Sequence, residues 1–228
     1  MTLEKANAAI GGNLYGHPLS QYLEMYQSAA PRDLSAQSGI PYFPSIRAFR
    51  LHFLGTLYEL SHPDFTVRHL EAGTGIYPLE DYSTAQILLL RYLLEGTFAR
   101  PTGACVAYQD LPWGDVYLRQ FQGRCIHRLA KQYGGRTEVF RQVMERLHAV
   151  PMDFGDCAYQ LEIVDLVSLC LILWEGDDEY PPSAQILFSD NFPSAFSAED
   201  AAYIGDIVLN YLAEFEQSCH AAEPVLNA

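Results

Sequence analysis

The sequence predicts an α+β fold: one domain with a mainly antiparallel sheet, hairpins near 47–70 and 158–190, packed against several helices. Two of these helices stand out, a buried one over 83–95 and a long one at the C-terminal end. Three observations carry the prediction. AFRLHFLGTLYELS alternates Phe49, Leu51 and Phe53 against Arg50 and His52, the period of a half-buried strand. VSLCLILW is a continuous apolar run of the kind a central strand shows. DYSTAQILLLRYLLEG is apolar on nearly every side, so its helix must be central.

Taken in order, residues 1–45 are rich in Gly, Ser, Ala and Pro around one weak helical pattern (Leu19, Tyr22, Leu23, Met25, Tyr26). They read as an N-terminal arm or partly helical extension. Residues 46–218 form the domain and 219–228 a tail. Gly55 permits a turn after the first alternating run, and FTVRHLE supplies a third short strand. Ser83 is the expected N-cap of the buried helix, with Gln86 as its capping-box partner. CVAYQDLP reads as a short strand, and Tyr117, Phe121, Ile126, Leu129 and Tyr133 then recur at helical spacing until Gly134 and Gly135.

RTEVFRQVMERLHAV makes the next helix, which Pro151 ends. AYQLEIV, VSLCLILW and AQILFSD follow as three strands. AEDAAYIGDIVLNYLAEFEQS is amphipathic, with Ser197 as N-cap and Asp200 at the third position of the helix.

At 228 residues the chain is long enough to bury a substantial core. Fourteen Lys plus Arg against 28 Asp plus Glu give a net charge of −14, which repels phosphate backbones and anionic membranes alike. Neither nucleic acid nor membrane is therefore an expected partner. Cys105, Cys125, Cys157, Cys170 and Cys219 are odd in number and widely spaced, a pattern of reduced thiols and not of a disulfide framework or a cluster-ligand run. MTLEKANAAIGGN has no apolar core of signal-peptide length, and ILLL and LVSLCLILW are too short to span a bilayer. The expectation is a cytoplasmic protein.

LWEGDDEYPP is the densest candidate site. Glu175, Asp177, Asp178 and Glu179 offer oxygen donors to a hard divalent cation, and Glu175, Asp177 and Glu179 are the candidate metal ligands. The spacing is not that of an EF-hand loop, and a charged hairpin tip guarded by Pro181 and Pro182 explains the same residues. Trp174 and Tyr180 flank the block. Asp156 follows Gly155 at the start of a strand, as a turn residue or a catalytic carboxylate. Glu199 and Asp200 fall in a first helical turn, where the dipole favours them.

Arg124 and His127 lie three apart on one helix and share a face suited to an anion or a cofactor carboxylate. His52 and His69 fall in strands; His17, His62, His148 and His220 fall in arms, turns or helix ends. No HExxH, GxSxG, GxxxxGK[ST] or GxGxxG motif is present. Tyr108, Trp113, Tyr117, Trp174 and Tyr180 either line a flat apolar pocket or belong to the core.

PTGACVAYQDLPWGDVYLRQFQGR, GDCAY, LILWEGDDEYPPSAQILFSDNF and FSAEDAAYIGDIV resemble successive blocks of domain-of-unknown-function family 3786, found widely in anaerobic bacteria and archaea. The resemblance runs from about Pro31 to Leu212. It transfers block positions onto Gly155, Asp156, Trp174, Glu175, Gly176, Asp177, Glu179, Pro181, Pro182, Glu199 and Asp200, but no catalytic set. Some relatives resemble fusions with an iron-sulfur domain of the kind seen in corrinoid methyl-transfer proteins. This chain has no cysteine cluster, so no iron-sulfur cluster is expected on it. The resemblance implies a non-catalytic cofactor-binding or accessory protein in anaerobic redox or corrinoid-linked metabolism. Its cofactor would be a corrinoid or other tetrapyrrole, its partner an anaerobic redox or corrinoid protein. Two alternatives stand beside it: a metal-dependent or acid/base enzyme using Glu175 to Glu179, and a structural interaction protein.

Overall fold

The computed structural model of the chain describes residues 19–71 and 75–222, apart from the side chains of 220–222. His17, residues 1–18 of the expected arm and the side chain of His220 lie outside the described residues. Helices α1 (Leu19–Ser28) and α2 (Pro31–Ser38) open the described chain. Their apolar residues Tyr22, Tyr26 and Leu34 enter the main core, so this segment packs as part of the domain body. Gly39 ends α2 at φ +74, and a Cβ there would lie 2.6 Å from the Phe98 ring, which fits glycine alone.

The sheet begins with β1 (Tyr42–Phe43), β2 (Ala48–Phe53), β3 (Thr56–Ser61) and β4 (Val67–His69). It continues with β5 (Cys105–Ala107), β6 (Val150–Pro151), β7 (Cys157–Val164), β8 (Val167–Trp174) and β9 (Ser183–Ser189). Its order is β4-β3-β2-β7-β8-β9-β5, with β1 on β2 and β6 on β7, and every pairing is antiparallel. The expected hairpins are thus present, and a mainly antiparallel α+β domain is the observed architecture. Strands β2 and β7 meet at a single residue pair, Phe53 and Val164. Beyond that pair they diverge, and β1 and β6 take the two freed edges.

Helices α3 (Pro78–Asp81), α4 (Ser83–Glu95), α5 (Gly114–Phe121), α6 (His127–Tyr133), α7 (Thr137–Arg146), α8 (Phe192–Ala195) and α9 (Ala198–Ala222) complete the fold. Helix α4 is the buried helix its all-round apolar character predicts: Ile87, Leu88, Leu89, Leu90 and Leu93 are in the core. Its start differs from expectation. Tyr82, not Ser83, holds the N-cap position, with no side-chain cap, and Gln86 donates to the Leu79 carbonyl at 2.9 Å. The cause is α3, which ends directly at Tyr82 and leaves Leu79 as the carbonyl to satisfy.

Two further boundaries shift. The strand expected over CVAYQDLP stops at Ala107 and passes into a 3-10 turn, Tyr108–Asp110. Helix α7 ends at Arg146, before Pro151, because His148 takes a left-handed conformation at φ 55. The helices and the inner sheet residues Leu161, Leu169, Leu171 and Phe188 share one core. The opposite sheet face carries a small second cluster, Ala158, Cys170 and Ile172, flanked by Met152, Trp174 and Leu187.

Candidate ligand pocket

The acidic block forms the connection between β8 and β9, as the strand-turn-strand pattern requires. Trp174, the last residue of β8, lies half-buried on the second cluster. Gly155, at φ +54, brings the preceding turn so near that a Cβ would lie 2.6 Å from the Leu173 carbonyl oxygen. The Asp156 N–H donates to the Leu173 carbonyl at 2.9 Å, and its Oδ2 accepts the Glu175 N–H at 2.8 Å. Asp156 therefore closes the open end of the β7–β8 ladder.

Asp177 closes the next turn. Its Oδ1 accepts the N–H groups of Tyr180 at 2.7 Å and Glu179 at 2.8 Å, and its own N–H donates to the Tyr180 carbonyl at 2.9 Å, the geometry of an Asx turn. The Tyr180 and Glu179 amides hold its carboxyl below the usual aspartate range. Glu175 accepts from the Thr137 hydroxyl at the start of α7. Pro182 sits where a Cβ on Gly134 or on Gly176 would lie 2.5 Å from it, so the prolines pin the turn to the end of α6. Asp178 and Glu179 face solvent, and Tyr180 is 69% exposed. Among the described residues no group of three or more His, Cys, Asp or Glu side chains is placed to hold a metal ion.

Arg124 and His127 have different surroundings. A π-helical turn, Gln122–Ile126, separates α5 from α6; with more residues per turn it rotates less per residue, so residues three apart fall short of a full turn by more than in an α-helix. Arg124 turns to Asp206 on α9, with its guanidinium 4.9 Å over the Tyr203 ring. His127 remains exposed. Gly205 makes this approach possible, since a Cβ there would lie 2.5 Å from the Cys125 sulfur. Cys125 is fully buried, and burial pushes its thiol up to about 12, which suits a packing residue.

A concave site of about 290 Å³ opens instead where α4, the loop before α5 and the α8–α9 connection meet. Its floor is an ion pair. Arg91 Nε donates to Asp200 Oδ1 at 3.1 Å and Nη2 to Oδ2 at 3.3 Å, while Nη1 reaches the Tyr22 hydroxyl at 2.9 Å. Glu95 adds a second carboxylate, 3.4 Å from Arg91. The Asp200 side chain is only 2% exposed and also accepts the Ser197 N–H at 2.8 Å and hydroxyl at 2.6 Å, the capping box read from the sequence. Burial, with the Asp200 charge beside it, raises the carboxyl of neighbouring Glu199.

Pro112, Pro193 and Phe196 make apolar walls, and Trp113 stands at the rim, 79% exposed. Its backbone is left-handed, φ +65, a costly conformation for a residue with a bulky side chain. The base beneath it is firm. Tyr108 stacks on Phe121 at 3.9 Å and donates to the Ala198 carbonyl at 2.7 Å, and Gly114 packs onto the Tyr108 backbone where no Cβ fits. Of the five aromatics grouped from the sequence, Tyr108 is core, Tyr117 and Trp174 are partly buried, Tyr180 is on the acidic turn, and Trp113 alone lines this pocket. Arg91 carried no sequence signal: its partner lies 109 residues away.

The family model for DUF3786, a domain of unknown function, matches residues 30–211. The chain belongs to the DUF3786 family. No curated protein and no solved structure matches it. The four blocks by which DUF3786 was recognised lie within the matched span. They supply Pro112 and Trp113 on one side of the pocket and Ser197 and Asp200 on the other, as well as the whole acidic turn. Among the described residues no helix is long and apolar enough to cross a membrane.

Proposed function

We propose that this chain is a non-catalytic binding or accessory module whose ligand is a planar, uncharged or cationic ring compound held in the Arg91–Asp200–Trp113 pocket. Trp113 carries the reading: an indole 79% exposed, on a left-handed backbone at a pocket mouth, contributes little to folding and offers a stacking face to a ligand. Arg91 is met by Asp200 and Glu95, so the floor carries no surplus positive charge and favours a neutral or cationic guest. The same commitments argue for binding over acid/base work, because each charged group is engaged within the protein.

A volume near 290 Å³ lies at the small end of ligand sites, below what would enclose a corrinoid or other tetrapyrrole. Such a cofactor would reach this chain on an anaerobic redox or corrinoid protein partner, with the Trp113 rim as the contact. All five cysteines are free, which supports a cytoplasmic setting.

The two tryptophans make the test direct. In a Trp174→Phe variant Trp113 is the one remaining tryptophan, and excitation at the red edge of its absorption reads it apart from the tyrosines. Titration with a panel of nitrogen-heterocyclic and aromatic compounds should quench and shift its emission for at least one member. Trp113→Gly, which relieves the left-handed strain and keeps the fold, should abolish that binding. A panel that leaves Trp113 emission unmoved, or equal binding by Trp113→Gly, rejects the reading.

A further inference from the structure

A second concavity of about 400 Å³ lies where the sheet divides. It is lined on one side by β7 and β8 and on the other by the end of α7 and the start of β6, at the level where β2 and β7 make their single pair. It shares no residue with the Trp113 pocket. Three of its lining residues have positive φ: Gly55 at 79, His148 at 55 and Leu166 at 67. Left-handed non-glycine residues store strain, and such strain gathers at ligand sites.

Its polar side chains are Gln160, Ser168, Glu162 and His148. Gln160 Nε2 donates to Ser168 Oγ at 2.6 Å, and the Ser168 N–H donates to Ser189 Oγ at 3.1 Å. Ser168 is thus fixed in the floor, 5% exposed. Glu162 Oε2 accepts the Leu166 N–H at 3.1 Å, and Glu162 and His148 stand at the exposed mouth of the cavity. Among the described residues no Lys or Arg lines the cavity; the neighbours in sequence, Arg100 and Arg146, are both exposed. Pro101, Val150 and Leu166 give it apolar walls.

One carboxylate at the mouth, a Gln160–Ser168 pair in the floor and no basic side chain among the lining residues, beside the apolar Pro101, Val150 and Leu166 in a protein of net charge −14, match an alkylammonium group with a short apolar body. We propose that this cavity is a binding site for small primary amines, with Glu162 taking the ammonium charge and the Leu166 and Pro101 side accommodating the alkyl part.

The Leu166 amide reports directly on Glu162. In proton–nitrogen correlation spectra of the full chain, n-butylammonium should shift the Leu166 and Ser168 amides and the Gln160 side-chain amide in a saturable way. Butyrate and n-butanol at equal pH and ionic strength should not. Glu162→Gln keeps an acceptor for Leu166 and should weaken butylammonium binding by about tenfold or more. Trp113→Gly should leave it unchanged, so failure here is separable from failure at the other pocket. No saturable shift with butylammonium, equal shifts with butanol or butyrate, or equal affinity in Glu162→Gln would overturn the proposal. The wild-type comparison of the three probes decides even where the variant does not fold.

Discussion

The acidic turn and the Trp113 pocket distribute polarity in opposite ways. Around the turn, carboxylates lie at the surface and bind nearby backbone: Asp156, from the turn before β7, holds the Glu175 amide, and Asp177 holds those of Glu179 and Tyr180. In the pocket the charges are buried beneath an exposed aromatic, with Arg91 and Asp200 at the floor and Trp113 above. A run of carboxylates in sequence is therefore no guide to a site. Those in the turn serve its shape, whereas the buried pair bridges two helices and backs a concave surface.

The largest effect that separates the two regions is expected at Asp200. Asp200→Ala removes the main counter-charge of a guanidinium that is only 15% exposed, and loss of one partner of a buried pair costs roughly 3–5 kcal/mol. Glu95 and Tyr22 remain beside Arg91, so the lower end applies. Denaturant unfolding should show the midpoint falling steeply. A loss no larger than that of a surface substitution would mean that the pocket floor is not the fixed platform described above.

Gly155→Ala should follow in size and tests the other region. The position combines φ +54 with a carbonyl oxygen 2.6 Å from the new Cβ, and a left-handed Ala together with backbone displacement costs about 2 kcal/mol or more. Its particular mark is local. Hydrogen exchange should rise at the Asp156 and Glu175 amides, while in the Trp174→Phe background, which removes the indole 3.2 Å from the new Cβ, Trp113 emission stays as it is without the substitution. A change in Trp113 emission would show that the two regions communicate.

What the sequence made legible is what local chemistry decides. The alternation of Phe49, Leu51 and Phe53, the apolar VSLCLILW run and the Ser197–Asp200 capping box each encode their structure within a few residues, and each is present. The turn over GDDEYPP is legible for the same reason. Ser83 was misread because a capping pattern cannot reveal that another helix ends one residue earlier. Asp200 was half legible. Its bond to Ser197 spans three residues, but its bond to Arg91 spans 109, and no periodicity carries that distance. For Arg124 and His127 the spacing argument assumes α-helical winding, and the π turn alters it. Trp113 was visible as an aromatic, but its exposure depends on a left-handed residue that composition does not announce.

The smallest expected effect concerns the charge on Asp177, and its sign follows from the turn. The Tyr180 and Glu179 amides lower its folded pKa, so the folded state binds this proton less readily than the unfolded chain does. The contribution is fully present above the unfolded aspartate value of about 3.9, and it is lost as pH falls through the lower folded value. Asp177→Asn keeps an oxygen acceptor but no charge. Wild type should therefore be the more stable at about pH 6, and the difference should close on acidification towards about pH 2. Because the side chain is fully exposed to solvent the gap will be small. Comparison of denaturation midpoints for the two proteins across that range isolates it. A gap that stays constant with pH would mean that the carboxylate charge plays no part in holding the turn, and one that persists with the opposite sign would point to repulsion from Asp178 and Glu179. In either case the acidic block would no longer be explained by its own hydrogen bonds, and a role for its charge outside the chain would regain support.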